Sequence, residues 1–166
     1  LEQALRNPHP DVVIYVLRQL EEASAPVGSS VLARLLEHPA PLVRQTVLER
    51  IERSRDPGLL PPVAARFGVE TDAAVRAALL LAMFGVSSEQ ATGVALAALT
   101  DTAPDVRRAA AVGLLLHAGR EGAAVAADEL RAWACAARAE ERVVAAEVVG
   151  AVGVGAYDAT LIDLLG

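Results

Sequence analysis

Few side chains in this chain of 166 residues are suited to covalent or metal chemistry. The three histidines, His9, His38 and His117, lie far apart in the sequence, and Cys135 is the only cysteine. A single thiol excludes an intrachain disulfide and a zinc site of the C-x-x-C type. All 15 basic residues are arginines, which excludes Schiff-base chemistry and the lysine of a phosphate-binding P-loop. We therefore predict a protein that is not an enzyme, with no catalytic residue, no metal and no cofactor.

The arginines are the residues best suited to binding. Arginines recur near the start of successive helical patterns, where they would form a positive stripe along a groove. The net charge of −6 argues against nucleic acid as a partner, because such binding depends on neutralising phosphates. The only tryptophan is a candidate anchor for a protein interface. The candidates for partner binding are Arg44, Arg76, Arg107, Arg108 and Trp133.

A repeat of about 31 residues must position these side chains. Aligning Val12, Val43, Val75 and Val106 gives intervals of 31, 32 and 31 residues. Apolar residues follow each valine at steps of 4, 5 and 8, which track one face of an α-helix. Each repeat also has room for another helix before the valine. The pattern therefore predicts a chain of helix pairs, with no competing strand pattern.

The repeat predicts a single domain built from five helix pairs and part of a sixth. The register of the fifth pair stays open, because either Val143 is its marker or Arg142 stands where Arg107 stands. Residues 119–122 are predicted to form a turn between pairs. No run of 18 apolar residues is present to insert into a membrane. Since the pattern starts and stops within a pair, we predict a fragment of a longer chain, with pairs at about residues 1–23, 30–53, 60–84, 88–117, 123–152 and 157–166.

The opening of the second helix resembles a known family. Pro41-Leu42-Val43-Arg44 and Asp101-Thr102-Ala103-Pro104-Asp105-Val106-Arg107 are similar to HEAT repeats of the compact bacterial type. The resemblance implies an all-α fold, a right-handed, armadillo-like α-solenoid of about five helix pairs. Two departures are Val13 in place of the arginine and Ala73 in place of the proline.

The resemblance also implies a ladder of polar side chains along the array. In that family an acid stands six residues before the arginine, and the guanidinium bridges adjacent helix pairs. Acids occupy this position in the third and fourth pairs, and a histidine occupies it in the second. The residues assigned to the ladder are Glu70 with Arg76, Asp101 with Arg107, and His38 with Arg44.

The family implies a cytoplasmic scaffold or regulatory module of a larger bacterial protein. Its partner would be another protein or other domains of the same chain. Residues 36–44 and 141–147 are similar to the HEAT region of bacterial nucleotide-translocase-like membrane transporters, which would make the module the cytosolic part of a transporter. The alternative is a HEAT-like enzyme, either a DNA glycosylase or a tetrapyrrole lyase. The apolar half-pairs at both ends predict end-to-end self-association.

Overall fold

The computed structural model describes Leu5 and residues 7–153. Every regular element in these ranges is helical, as the repeat predicts, so the all-α fold class is confirmed. A short 3₁₀ helix, Pro57–Leu59, precedes the fourth α-helix. The α-helices of this part of the chain are α1 Pro10–Glu22, α2 Ser29–Leu35, α3 Pro41–Ser54, α4 Leu60–Phe67, α5 Ala73–Val86, α6 Ser88–Ala98, α7 Pro104–His117, α8 Gly119–Ala134 and α9 Ala139–Val152.

Prolines and one aspartate begin the second helices of the first four pairs. Pro10, Pro41 and Pro104 occupy the first turn of α1, α3 and α7, where the missing N–H costs nothing. Helix α5 begins without a proline and uses Asp72 as its cap instead. The Asp72 carboxylate accepts a hydrogen bond from the Val75 N–H at 3.0 Å. The third pair therefore starts its second helix by a different local device at the same position.

The N-terminal unit, residues 1–87, contains α1 to α5. Its second helices pack on one another in chain order, α1 on α3 and α3 on α5, and α2 and α4 cover α3 and α5. In α1 the predicted register is wrong at its marker: Val12 is exposed and Val13, an apolar residue in the arginine's place, is buried instead. In α3 and α5 the predicted apolar register is confirmed, and its buried residues are Val43, Val47, Leu48, Ile51, Val75, Leu79, Leu80 and Met83.

The C-terminal unit, residues 88–166, contains α6 to α9 in its described part. Helix α7 packs against α6, α8 and α9, and α8 packs against α9. Small side chains dominate its interior and let the helices approach closely. The buried residues of α6 and α7 include Ala91, Ala95, Val106, Ala109, Ala110, Ala111 and Leu114.

The predicted turn at residues 119–122 is instead the first turn of α8. Only Ala118 separates α7 from α8, because Gly119 reverses the chain with a φ of +67° that side chains other than hydrogen disfavour. A Cβ on Gly122 would lie 2.5 Å from the Ala118 Cβ, so glycine is needed there for the two helices to meet. The fifth pair thus begins near residue 119, earlier than the predicted 123.

Two sequence predictions fall on residues outside the described ranges. They are the partial helix pair at 157–166 and the end-to-end association, which depends on apolar residues at both ends of the chain. Among the described residues, no helix combines the length and apolar character needed to cross a membrane.

Candidate functional site

A buried ion pair joins two successive helix pairs of the N-terminal unit. Arg44 is the fourth residue of α3, and Glu70 is the third residue before α5. The guanidinium donates from Nε to Oε2 at 2.8 Å and from Nη2 to Oε1 at 2.9 Å. The two side chains are only 6% and 1% exposed. Such a bidentate geometry is the strongest arrangement for this pair of groups, and burial protects it from solvent screening.

Further hydrogen bonds hold the Glu70 carboxylate from every side. Its Oε1 accepts the main-chain N–H groups of Thr71 and Asp72, each at 3.0 Å. Its Oε2 accepts from Arg66 Nε at 3.0 Å and from Arg66 Nη2 at 2.9 Å. Arg66 also donates from Nη1 to the exposed Glu37 at 3.1 Å. Glu70 is therefore a buried charge whose acceptor sites are filled, the condition under which burying a charge is tolerated.

These contacts hold Glu70 in its ionised form. Burial raises the pKa of Glu70, but hydrogen bonds from the Asp72 N–H, Arg66 and Arg44, together with the Arg44 charge, outweigh burial and lower the pKa from 4.5 to about 2. The folded protein therefore binds this proton less readily than the unfolded chain does. The resulting stabilisation is fully present above about pH 5 and is lost as the pH falls towards 2.

We expect the free energy of unfolding to fall with acidification more steeply in the wild type than in Glu70→Gln. Because the pKa of Glu70 is lowered this far, the free energy of unfolding of the wild type should fall by about 2 kcal/mol more than that of the variant between pH 7 and pH 3. Urea unfolding followed by far-UV circular dichroism at both pH values measures the difference. Equal losses in the two proteins would show that Glu70 has an ordinary pKa.

The position that Glu70 occupies recurs in the turns before other second helices. Its residues share a hydrogen-bond acceptor and not a negative charge. Asn7 Oδ1 accepts the N–H of the residue two places on at 2.9 Å, and His38 Nδ1 does the same at 3.1 Å. Glu70 and Asp101 accept the equivalent N–H groups at 3.0 and 2.9 Å. An amide, an imidazole and a carboxylate all satisfy this turn, because each offers one lone pair to the main chain. The acid is thus one solution to a local backbone requirement.

The arginines of three turns, in the second, fourth and fifth pairs, share a contact with the main chain. Nη1 of Arg44 donates to the main-chain carbonyls of His38 and Pro39 at 2.8 and 3.0 Å. Nη1 of Arg107 donates in the same way to the carbonyls of Asp101 and Thr102 at 2.8 and 3.3 Å. Nη1 of Arg142 donates to the carbonyls of Ala136 and Ala137, both at 2.8 Å. This shared contact resolves the register of the fifth pair: Arg142 stands where Arg107 stands, and Val143 is exposed.

The other arginines of the predicted stripe have different surroundings. The Arg76 guanidinium carbon lies 5.4 Å from the centre of the Phe67 ring, within cation–π range. Arg107 bonds the main-chain carbonyl of Asp101, and not its carboxylate. Arg108 lies 3.5 Å from both Asp105 and Glu147, so it bridges α7 and α9. These arginines therefore make different structural contacts, and Arg44 lies in the interior.

Trp133 lies in the core of the C-terminal unit, where it is 6% exposed, and Cys135 is exposed just after α8. The described part of the chain holds no group of three histidine, cysteine, aspartate or glutamate residues that could bind a metal. Sequence reasoning missed Arg66 and Glu37. The spacing of four between Arg66, in the last turn of α4, and Glu70, three residues after that helix, was the available signal.

Two large apolar residues are exposed on neighbouring second helices. Tyr15, in the second turn of α1, is 64% exposed, and Leu42, in the first turn of α3, is 56% exposed. Helix α1 packs on α3, so both residues belong to one packed layer of the N-terminal unit. We call Tyr15 and Leu42 the second-helix surface. Sequence reasoning proposed neither residue for binding, because apolar residues within a helical pattern usually belong to a core.

Comparison with protein-family models identifies a family. A family model described as HEAT repeats matches residues 1–83, which is half of the chain. A search of curated proteins finds no match.

Proposed function

The chain belongs to the HEAT-repeat family, and from this premise we propose that it is a non-enzymatic module that binds another protein, as a scaffold or regulatory part of a larger protein. Stacked helix pairs present extended surfaces that are suited to binding peptides and protein domains. The repeat thus supports a role in protein interaction at the level of the family.

The exposure of the second-helix surface is the observation that carries the proposal. Both residues are large and apolar, and neither is needed to fill the interior of the unit. Tyrosine combines a broad apolar ring with a hydroxyl and is enriched among the residues that dominate binding energy at interfaces. A partner that covers Tyr15 and Leu42 would remove their apolar area from water, which is the main driving force of association.

Charge supports a protein partner over nucleic acid. The chain carries a net charge of −6, and the arginine best placed in sequence to lead a positive stripe, Arg44, is buried against Glu70. A nucleic-acid site needs several cationic groups facing the phosphates. The structural contacts of Arg44 and Arg108 support their assignment to the fold.

A finer form of the proposal concerns the parent protein. The likeness of residues 36–44 and 141–147 to the HEAT region of nucleotide-translocase-like transporters supports a cytoplasmic module attached to a bacterial membrane transporter. The direct partner would then be another domain of the same chain. The proposal that binding involves the second-helix surface applies equally to a partner in trans.

Photo-crosslinking tests the proposal at the residues that carry it. A benzophenone amino acid at position 15 or 42 of the chain is expected to capture one protein in cells, and purified partner should then bind the unlabelled chain. Val69 gives a matched control, since it is apolar and 68% exposed but lies outside the second helices. We expect position 69 to capture no such protein.

We expect Tyr15→Asp to weaken binding of the captured partner about thirtyfold, which corresponds to the loss of a hot spot of about 2 kcal/mol. Val69→Asp should leave the Kd unchanged, and both variants should unfold at the urea concentration of the wild type. Isothermal titration calorimetry measures the Kd values. Equal affinity of the wild type and Tyr15→Asp would refute the role of this surface.

A further inference from the structure

The C-terminal unit contains a counterpart of the Glu70 site that lacks its acid. Arg107 is the fourth residue of α7, as Arg44 is of α3, and Nη1 of both is held by two main-chain carbonyls. Ala136 is the third residue before α9, as Glu70 is before α5. Helix α7 packs on α9, as α3 packs on α5. The repeat therefore places Ala136, which has no acceptor in its side chain, at the position of the buried carboxylate.

The donors that bind the Glu70 carboxylate have counterparts around this position. Glu70 accepts from Nε and Nη2 of its arginine and from the N–H groups of the next two residues. The equivalent groups are Nε and Nη2 of Arg107 and the N–H groups of Ala137 and Arg138. The backbone supports this equivalence, since Arg138 has φ −73° and ψ 125° where Asp72 has φ −76° and ψ 120°.

These four donors are available to a ligand. Within the described ranges, the hydrogen bonds of Arg107 all come from Nη1. In the same ranges, the N–H groups of Ala137 and Arg138 have no hydrogen-bond acceptor. Glu140 and Glu141, in the first turn of α9, form no ion pair with Arg107 among these residues. An arginine whose Nη1 is fixed holds its remaining edge in a set direction, which favours a bidentate acceptor.

We propose that Arg107 and the turn at Ala137–Arg138 bind a carboxylate group supplied from outside the chain, in the position that the Glu70 carboxylate has in the N-terminal unit. The ligand is an aspartate or glutamate side chain of a partner, or a small free carboxylate. The residue equivalent to Arg66 is Ala132, so this site has fewer donors than the Glu70 site. A single charge-assisted contact of this kind gives a Kd for acetate of about 10–100 mM.

This inference does not rest on the second-helix surface, which belongs to the other unit. The two proposals can therefore fail separately. Loss of partner binding in Tyr15→Asp with intact acetate binding would support both, whereas absent acetate binding would overturn this one alone.

The first experiment is a titration of the ¹⁵N-labelled chain with sodium acetate, at ionic strength held constant with sodium chloride. We expect saturable NMR shifts at Arg107 Nε–H and at the amides of Ala137 and Arg138. Ala136→Glu should abolish these shifts, because its own carboxylate fills the site. Ala136→Gln is the matched neutral control and should retain them. Shifts that are absent in the wild type, or unchanged in Ala136→Glu, would overturn the proposal.

The second experiment needs no ligand. Ala136→Glu is expected to raise Tm by about 2–4 °C relative to Ala136→Gln, because it restores the missing acid beside Arg107. The difference should disappear when Arg107→Ala is added to both variants. Equal Tm values for the Glu and Gln variants would overturn the proposed geometry. Finally, a capped peptide with a single glutamate distinguishes the sources: tighter binding than acetate assigns the site to a polypeptide, and equal binding assigns it to a free carboxylate.

Discussion

Glu70→Gln is expected to lower the free energy of unfolding by about 3 kcal/mol at pH 7. The substitution keeps the shape of the side chain but removes the charge that Arg44 faces, and it leaves that guanidinium buried without a counter-charge. Removing one partner of a buried ion pair typically costs about 3–5 kcal/mol, because the remaining charge has lost its water and its partner. Urea unfolding followed by far-UV circular dichroism measures the loss, with an unchanged slope as the check on cooperativity.

Glu37→Gln provides the matched control for this prediction. Glu37 binds the same network through Arg66 at 3.1 Å, but its side chain is 69% exposed. Exposed ion pairs contribute at most about 1 kcal/mol, since water screens them and both side chains lose freedom. If both variants lost the same small amount, the burial of Glu70 would have no energetic consequence.

Gly85→Ala is expected to destabilise the protein by about 3 kcal/mol. Helices α3 and α5 approach so closely that a Cβ on Gly85 would lie 2.4 Å from the Glu52 carbonyl oxygen and 2.8 Å from the Glu52 Cα. Because these are main-chain atoms, no rotamer change can relieve the clash and the helices must move apart. The gain in helix propensity, about 1 kcal/mol, offsets only part of that cost. Thermal unfolding and urea unfolding both measure the loss of stability.

Gly93→Ala separates crowding from helix propensity. Gly93 lies within α6, and a Cβ there would meet nothing within 4 Å. The same substitution should therefore stabilise the protein by about 0.5–1 kcal/mol. Opposite signs at positions 85 and 93 are the expected result. Stabilisation at both positions would contradict the close approach of α3 and α5.

The architecture could be predicted from the sequence because it depends on local rules. The spacing of Val43, Val75 and Val106 and the apolar residues after them defines one helical face in the second, third and fourth pairs, and the structure buries that face. Helices α3 and α7 begin at Pro41 and Pro104, the prolines of the two segments that resemble the family, whereas the Asp72 cap of α5 was not predicted. The predicted start of α8 was wrong. Two glycines within four residues are typical of a turn, but here Gly119 and Gly122 let two helices meet.

The contacts of the buried ion pair were harder to predict from the sequence, because they join residues that are far apart in the chain. The resemblance implies that a guanidinium bridges adjacent helix pairs, but the spacing of six assigned Glu70 to Arg76, while Glu70 binds Arg44 of the preceding pair. The N–H accepted by His38 and Asn7 likewise depends on turn geometry and not on charge. The crowding at Gly85 depends on which turns of two helices face each other, and a repeat period does not contain that information.

A double-mutant cycle between Arg44 and Glu70 tests the central claim, that a buried ion pair joins successive helix pairs, most directly. Arg44→Met keeps most of the apolar stem and removes the charge. The four proteins, wild type, Arg44→Met, Glu70→Gln and the double variant, are compared by urea unfolding at pH 7. We predict a coupling energy of at least about 2 kcal/mol, with the double variant no less stable than Glu70→Gln, because the unpaired buried charge is gone. A coupling energy near zero, with additive losses in the double variant, would contradict the account.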